Sequence, residues 1–225
     1  MSEAATENTP KAYRRPKAPA NFITYAIAAL LSFVGFALLL SASLINASAR
    51  IGSFAFFVFI AAVVFTLGAL SHILPTSSGL CAVCRKFDRC AVAVLLAGAF
   101  APVMLAGLPS SGAHADAVWA YTLFSLIAVA TVLAVIINVA DVAEYKIISL
   151  VLYVVIGWAL VARAHRIVDL CGWNCFWALL GGCAAYLIGT LLCAFEGLPA
   201  RHTIKHAFII IGAALHCAAI YFFVM

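Results

Sequence analysis

Three histidines and one aspartate lie at the ends of apolar stretches in a chain that is otherwise almost free of charge. They are His72, Asp88, His202 and His206. Ionisable side chains are costly at membrane depth, and those found there usually serve a function. Three residues separate His202 from His206, so on a helix both imidazoles lie on one face, one turn apart. Two imidazoles at this spacing can bind one transition metal ion, and a third histidine would complete the protein ligands of an open zinc site.

The chemistry of such a site is hydrolytic. Zinc held by three neutral imidazoles keeps one coordination position for water, which becomes acidic there, while the metal polarises an amide or ester carbonyl. Asp88 could orient that water or take its proton as a general base. Simpler explanations remain for single residues: His72 alone would be an interfacial polar residue, and Asp88 alone would be a helix N-terminal charge that complements the macrodipole.

The composition indicates the elements that must position these residues. Hydrophobic residues make up 67% of the 225 positions, charged residues make up 9%, and the mean hydropathy is +1.16. Soluble domains have about 45–50% apolar and about 25% charged residues, so a water-soluble globule is excluded. The net charge of +5 does not indicate nucleic-acid binding, because the basic residues cluster in loops beside apolar runs. We expect membrane lipids as partners and no nucleic acid.

Apolar runs of the length that crosses a bilayer predict seven transmembrane helices in an all-α bundle. The predicted spans are 22–44, 51–73, 88–108, 117–138, 146–163, 174–194 and 204–224. They form one multi-pass membrane domain over 21–225, preceded by a polar and basic tail over 1–20 that is predicted to be disordered.

The distribution of lysine and arginine predicts the orientation. If the N-terminus is cytoplasmic, ten basic residues lie inside: Lys11, Arg14, Arg15, Lys17, Arg85, Lys86, Arg89, Lys146, Arg201 and Lys205. Three lie outside: Arg50, Arg163 and Arg166. This asymmetry follows the positive-inside rule and places the C-terminus outside. His72 at the end of helix 2, Asp88 in the first turn of helix 3, and both helix 7 histidines then fall at the cytoplasmic side. The nearby Arg89, Arg201 and Lys205 are either topology anchors or attract an anionic headgroup.

Several other features are expected to be structural. Pro102 is predicted to kink helix 3, a small-residue stripe on helix 6 should allow close helix packing, and His216 should be a packed polar residue. The stripe comprises Gly181, Gly182, Ala185 and Gly189. His114 and His165 are predicted to lie in outside loops. Cys81 and Cys84 have a spacing found in redox or metal motifs, but no second pair follows at zinc-finger spacing.

An ordered set of motifs resembles the hemolysin III family, within the superfamily that includes the progestin and adiponectin receptors and the alkaline ceramidases. The matching pieces are Asn21-Phe-Ile-Thr-Tyr, Ser71-His72, Phe87-Asp88-Arg89, Leu96-Ala-Gly-Ala-Phe-Ala-Pro102, Leu152-Tyr-Val-Val-Ile-Gly-Trp158, Tyr186-Leu-Ile-Gly189 and His202-Thr-Ile-Lys-His206. The resemblance implies that His72, His202 and His206 hold Zn2+ and that Asp88 lies beside the metal-bound water as the catalytic residue.

Two positions depart from the pattern of that family. The family often has a serine four residues before the helix 2 histidine, where this chain has Gly68, and a histidine after the Asn-x-x-Thr pattern, where this chain has Tyr25. Gly68 removes a hydroxyl expected near the metal water, which bears on catalysis and leaves the ligands intact.

Three function classes follow from these observations. The first is a zinc-dependent intramembrane hydrolase that acts on a lipid amide or ester at the cytoplasmic leaflet, in the manner of a ceramidase. The second is a pore-forming cytolysin, which the family name suggests, although the mid-helix positions offer no charged lumen in a monomer. The third is a non-catalytic membrane-homeostasis or receptor-like protein with structural zinc.

Overall fold

The computed structural model describes residues 19–46, 49–140, 146–195 and 197–221, which contain seven α-helices and no β-strand. The helices are α1 (Pro19–Asn46), α2 (Ala49–Ile73), α3 (Gly79–Ala101), α4 (His114–Ala140), α5 (Lys146–Ala162), α6 (Ala164–Ala194) and α7 (Arg201–Ala219). The prediction of a seven-helix, all-α bundle is confirmed. Most of the predicted tail, residues 1–18, lies outside the described residues.

Length and apolar composition allow five of these helices to cross a membrane. They are Pro19–Ser41, Ile51–Ile73, Gly79–Ser111, His114–Ala140 and Ala164–Ala194, and a shorter apolar helix covers Ile147–Ala162. Large apolar side chains such as Leu31 on α1 and Val132 on α4 are more than half exposed. Exposed apolar surface of this extent is favourable where lipid replaces water as the solvent. The chain is a multi-pass integral membrane protein.

Successive helices pack against each other around α3. Each helix from α1 to α7 contacts the next one along the chain, and α1 also meets α7. The central helix α3 contacts α5 and α7 in addition to its chain neighbours. Its buried face is rich in small residues such as Ala93, Gly98 and Ala99, which allow helix backbones to approach closely. Side chains from α1, α2 and α7 can therefore converge on α3.

The start of α3 differs from the prediction. The helix begins at Gly79, not at residue 88, and Ser78 caps it by accepting a hydrogen bond from the Cys81 backbone N–H at 3.1 Å. Asp88 consequently lies in the third turn, not in the first turn as predicted. The difference arises because hydropathy locates the beginning of the apolar run, whereas the capping residue determines where the backbone becomes helical.

The N-terminal ends of α4 and α6 also differ from the prediction. His114 is the first residue of α4 and His165 lies in the first turn of α6, so neither histidine is in a loop. Only Arg163 separates α5 from α6. Gly172 then breaks the regular path of α6 with φ +82° and ψ 164°, a conformation essentially restricted to glycine. The predicted helix start at 174 corresponds to the segment after this kink.

Two packing predictions agree with the structure. Pro102 ends the α-helical part of α3, and a π-helix (Pro102–Gly107) and a 3-10 helix (Leu108–Ser111) continue it. Between α6 and α7, a Cβ atom built at Gly189 would lie 2.6 Å from the Cβ of Phe208. The helices can approach this closely only because the position lacks a side chain.

Candidate functional site

Three of the four predicted site residues converge at one end of the bundle. His72 is the penultimate residue of α2, Asp88 lies on α3, and His206 lies in the second turn of α7. Tyr25, near the start of α1, lies between them. The cluster therefore draws on four helices, because α7 packs against α1 and α3 next to the ends of the consecutive helices α1, α2 and α3.

Tyr25 makes the closest contacts in this cluster. Its hydroxyl oxygen is 2.5 Å from Nδ1 of His206 and 3.1 Å from Oδ1 of Asp88, to which it donates a hydrogen bond. The centre of its ring lies 4.6 Å from that of His206 and 5.9 Å from that of His72. Tyr25 is 1% exposed and His206 is 3% exposed, so these hydrogen bonds form away from bulk solvent.

A lysine balances the charge of the carboxylate. Nζ of Lys205 is 3.6 Å from Oδ2 of Asp88, and both side chains are largely buried. Each oxygen of Asp88 thus has a partner, which is how a carboxylate is tolerated at membrane depth. Lys205 was predicted to be a topology anchor or to attract a headgroup, whereas its ammonium group faces the cluster.

The arrangement of His72 and His206 fits two ligands of one metal ion. Their ring centres are 5.1 Å apart and the rings are nearly perpendicular. Two imidazoles that bind zinc at about 2.0–2.1 Å with a tetrahedral angle have ring centres about 5 Å apart. Nε2 of His72 is buried and has no hydrogen-bond partner within the described part of the chain. A buried ring nitrogen without a partner is an available metal ligand.

His202 does not join this cluster. Its side chain is exposed, and its Nδ1 lies 3.6 Å from Sγ of Cys193 near the end of α6. Residue 202 occupies the first turn of α7, at the rim of the bundle, where the short connection brings the end of α6 close to it. In the described ranges, no group of three or more His, Cys, Asp or Glu side chains has the geometry to hold a metal ion. The assignment of His202 as a ligand stays a prediction.

The sequence did not predict the role of Tyr25, which is there only a departure from a family pattern. A Cβ atom at Gly68 would lie 2.8 Å from Cε2 and 2.9 Å from Cδ2 of the Tyr25 ring. The two departures therefore meet in space, because the ring of one fills the volume that a side chain at the other would need. The occurrence of both departures in one sequence was the signal that could have indicated this contact.

A second charged cluster lies at the opposite end of the bundle. Asp116 at the start of α4 accepts a hydrogen bond of 2.6 Å from Arg163, further hydrogen bonds from Arg166, and one of 2.8 Å from Ser111. The guanidinium group of Arg163 also lies 5.5 Å from the ring centre of Trp119. Because the cluster joins the ends of α4, α5 and α6, its evident role is to hold these helices together.

Comparisons with known proteins agree with the motif resemblance. A family model described as Haemolysin-III related matches residues 13–217. Hemolysin-3 from Bacillus cereus is 25% identical over 138 residues, which are 61% of this chain and 60% of that protein. The match thus spans less than two thirds of the relative's length. No solved structure matches the chain significantly.

Proposed function

We propose that this chain, which belongs to the Haemolysin-III related family, is a zinc-binding membrane protein that hydrolyses a lipid amide or ester at the cytoplasmic leaflet. The observation that carries this proposal is the pair formed by buried His206 and partly buried His72, with a His72 ring nitrogen that has no hydrogen-bond partner among the described residues and a carboxylate on the adjacent helix. Buried ionisable groups gathered in a membrane protein are the usual mark of a functional site.

The residues of the cluster would have different roles in such a reaction. His72 and His206 would hold zinc, and His202 would become the third ligand if its side chain rotated from Cys193 towards the cluster. When bound, zinc supplies a Lewis acid for the carbonyl oxygen and makes a coordinated water acidic. Asp88 would act as a general base by taking a proton onto its carboxylate, and Lys205 pairs with that carboxylate before the transfer.

The surroundings of the cluster favour a lipid substrate. Apolar side chains at the same level face outward from the bundle, among them Ile23 and Ile27 on α1 and Phe87 on α3, and each is about half exposed. An acyl chain in the bilayer would contact these side chains while its amide or ester group reaches the cluster. A soluble polar substrate would have no such contacts.

The distribution of charge favours the cytoplasmic leaflet. Basic residues in the described part of the chain are concentrated at the end that carries the cluster: Arg85, Lys86, Arg89, Arg201 and Lys205. At the opposite end, Arg163 and Arg166 are both bound to Asp116. By the positive-inside rule, this asymmetry supports a cytoplasmic position for the cluster.

The metal content of the detergent-purified protein tests the proposal. We expect about one zinc ion per chain in the wild type and a loss of zinc in the His72→Ala/His206→Ala variant. The matched control is His114→Ala/His165→Ala, which removes two exposed histidines at the opposite end of the bundle and should retain the metal. A correctly folded wild-type protein that binds no zinc would overturn the proposal.

Hydrolysis is tested separately from zinc binding. With lipid amides and esters presented in mixed micelles, we expect Asp88→Asn, kept loaded by excess zinc, to lose turnover. Zinc binding without turnover of any substrate would favour the non-catalytic, receptor-like function with structural zinc.

The name of the Bacillus cereus relative, Hemolysin-3, supports a second candidate, a pore-forming cytolysin. Release of a dye from liposomes that contain the protein distinguishes the two functions. A cytolysin would release dye equally well as wild type and as His72→Ala/His206→Ala, because a pore does not need the metal ligands. The hydrolase proposal predicts no dye release in substrate-free liposomes.

A further inference from the structure

We propose that Asp88 sets the tautomer of His206 through the hydroxyl of Tyr25, so that His206 is protonated on Nδ1 and presents an unprotonated Nε2 to a metal ion. Gly68 is the position that admits the tyrosine ring. The inference deepens the proposed function and rests on it for the metal. The chain of hydrogen bonds from His206 through Tyr25 to Asp88, here called the relay, can be tested without a metal. Tyr25 is thus a positioning residue that acts through His206.

Hydrogen-bond accounting leads to this tautomer. An ionised carboxylate only accepts hydrogen bonds, so the single hydroxyl hydrogen of Tyr25 must point to Oδ1 of Asp88. The phenol oxygen is also 2.5 Å from Nδ1 of His206, a distance at which two facing lone pairs would repel. Nδ1 must therefore carry a proton and donate it to the phenol oxygen. A neutral imidazole has only one N–H, so Nε2 of His206 keeps its lone pair.

Two contacts fix the positions of Asp88 and Tyr25 in the relay. Lys205 lies 3.6 Å from the second oxygen of Asp88 and provides the cation that pairs with the carboxylate. The Tyr25 ring is 1% exposed and packs against Phe65 with ring centres 5.9 Å apart. The phenol therefore has little freedom to turn away from its two partners.

Gly68 makes this position of the ring possible. A side chain at residue 68 would come within 2.8–2.9 Å of two ring carbons of Tyr25, closer than real Cβ contacts. The tyrosine ring and a side chain at position 68 therefore exclude each other. Gly68 on α2 offers the cluster no hydroxyl group. The phenol hydroxyl of Tyr25, on α1, lies in the cluster instead.

The first test is the tautomer of His206, read from the nitrogen chemical shifts of protein labelled with 15N-histidine and kept free of metal. The His206→Gln spectrum assigns the signals. We expect a protonated Nδ1 and an unprotonated Nε2 in the wild type, and a shift towards protonated Nε2 in Tyr25→Phe and in Asp88→Asn. Tyr121→Phe, which alters an exposed tyrosine on α4, should leave the signals unchanged. A wild-type His206 protonated on Nε2, or unchanged signals in Tyr25→Phe, would overturn the proposal.

The second test is titration of the purified protein with Co2+ alone, followed by its visible absorption. Loss of a partner that orients a ligating histidine typically weakens metal binding by about 10- to 100-fold. We expect a loss of that size in Tyr25→Phe and no change in Tyr121→Phe. If the wild type binds no Co2+ but its His206 has the expected tautomer, the proposed function fails and the relay stands. Equal Co2+ affinity in wild type and Tyr25→Phe would overturn the positioning role while zinc binding stands.

The third test is the coupling between positions 25 and 68. We expect Gly68→Ala to lower the unfolding temperature in the wild-type background and to cost little when Tyr25 is already alanine. Gly157→Ala is the control, because the nearest atom to its added Cβ is 3.8 Å away. Losses that simply add in the Tyr25→Ala/Gly68→Ala variant would contradict the mutual exclusion of ring and side chain.

Discussion

The imidazole of His216 on α7 lies directly against the backbone of Gly182 on α6. His216 is fully buried, and its Nε2 donates a hydrogen bond of 3.0 Å to the carbonyl oxygen of Leu179. A Cβ atom at position 182 would lie 2.5 Å from Cδ2 of the imidazole. The prediction that His216 is a packed polar residue is confirmed, and the small-residue stripe on α6 is what allows it to pack there.

This contact predicts that Gly182→Ala destabilises the bundle. The added methyl group must displace the imidazole and lengthen its hydrogen bond, and overpacking of this kind typically costs about 1–3 kcal/mol. Unfolding in mixed micelles with increasing SDS measures the change. Gly181→Ala is the matched control, because its added Cβ would meet only Leu215, at 3.6 Å. Equal stability of the two variants would contradict the account of this contact.

The ion cluster around Asp116 predicts a second difference in stability. Asp116→Ala leaves Arg163 and Arg166 without the carboxylate that both bind, so the ends of α4, α5 and α6 lose their common partner. Removal of one member of a buried charge network is strongly destabilising, whereas exposed ion pairs contribute little. We expect a clear fall in unfolding temperature.

The control for Asp116 is the neighbouring acid Asp169. Its side chain is 60% exposed and lies 3.7 Å from Arg166, so Asp169→Ala should change the unfolding temperature little. If the two variants lose equal stability, Asp116 has no special role in joining the helices.

The amino-acid pattern predicted the helices well, because a span of apolar residues is needed wherever a chain crosses a bilayer. The seven helices, the small-residue stripe on α6 and the shared end of His72, Asp88 and His206 were all predicted. The beginning of α3 was not, since capping by Ser78 started the helix nine residues before the assigned position. Hydropathy indicates which residues lie in the lipid, and a helix can extend beyond those residues.

The details of the site depended on side-chain contacts that a linear pattern does not contain. The spacing of His202 and His206 placed both on one face of α7, yet His206 is buried in the cluster whereas His202 is exposed and lies near Cys193. The contact between Tyr25 and Gly68 joins residues 43 positions apart on antiparallel helices. Only the packing of α1 against α2 reveals that these two residues occupy one volume.

The kink in α6 predicts that Gly172→Ala is destabilising even though nothing lies within 4 Å of an added Cβ atom. The cost comes from the backbone, since φ +82° with ψ 164° strains any L-residue by about 1–3 kcal/mol. Gly79→Ala is the control, because its Cβ also has open space and the residue is helical. Thermal unfolding should separate the two variants, and a Gly172→Ala protein as stable as Gly79→Ala would show that the kink can relax.

The different environments of the three histidines predict unequal effects on zinc affinity. His72 and His206 are already close together, with ring centres 5.1 Å apart, whereas His202 must first leave Cys193. A ligand that has to reorganise contributes less to binding than one that is already in place.

Zinc titration in competition with a chelator should therefore show a larger loss of affinity in His206→Ala than in His202→Ala. Cys193→Ala is the informative companion, because it removes the contact that holds His202 at the rim and should leave zinc affinity equal or higher. A loss in His202→Ala as large as that in His206→Ala would mean that His202 is as well placed for the metal as His206. In that case the side chain of His202 in the zinc-bound protein would differ from the exposed position at the rim.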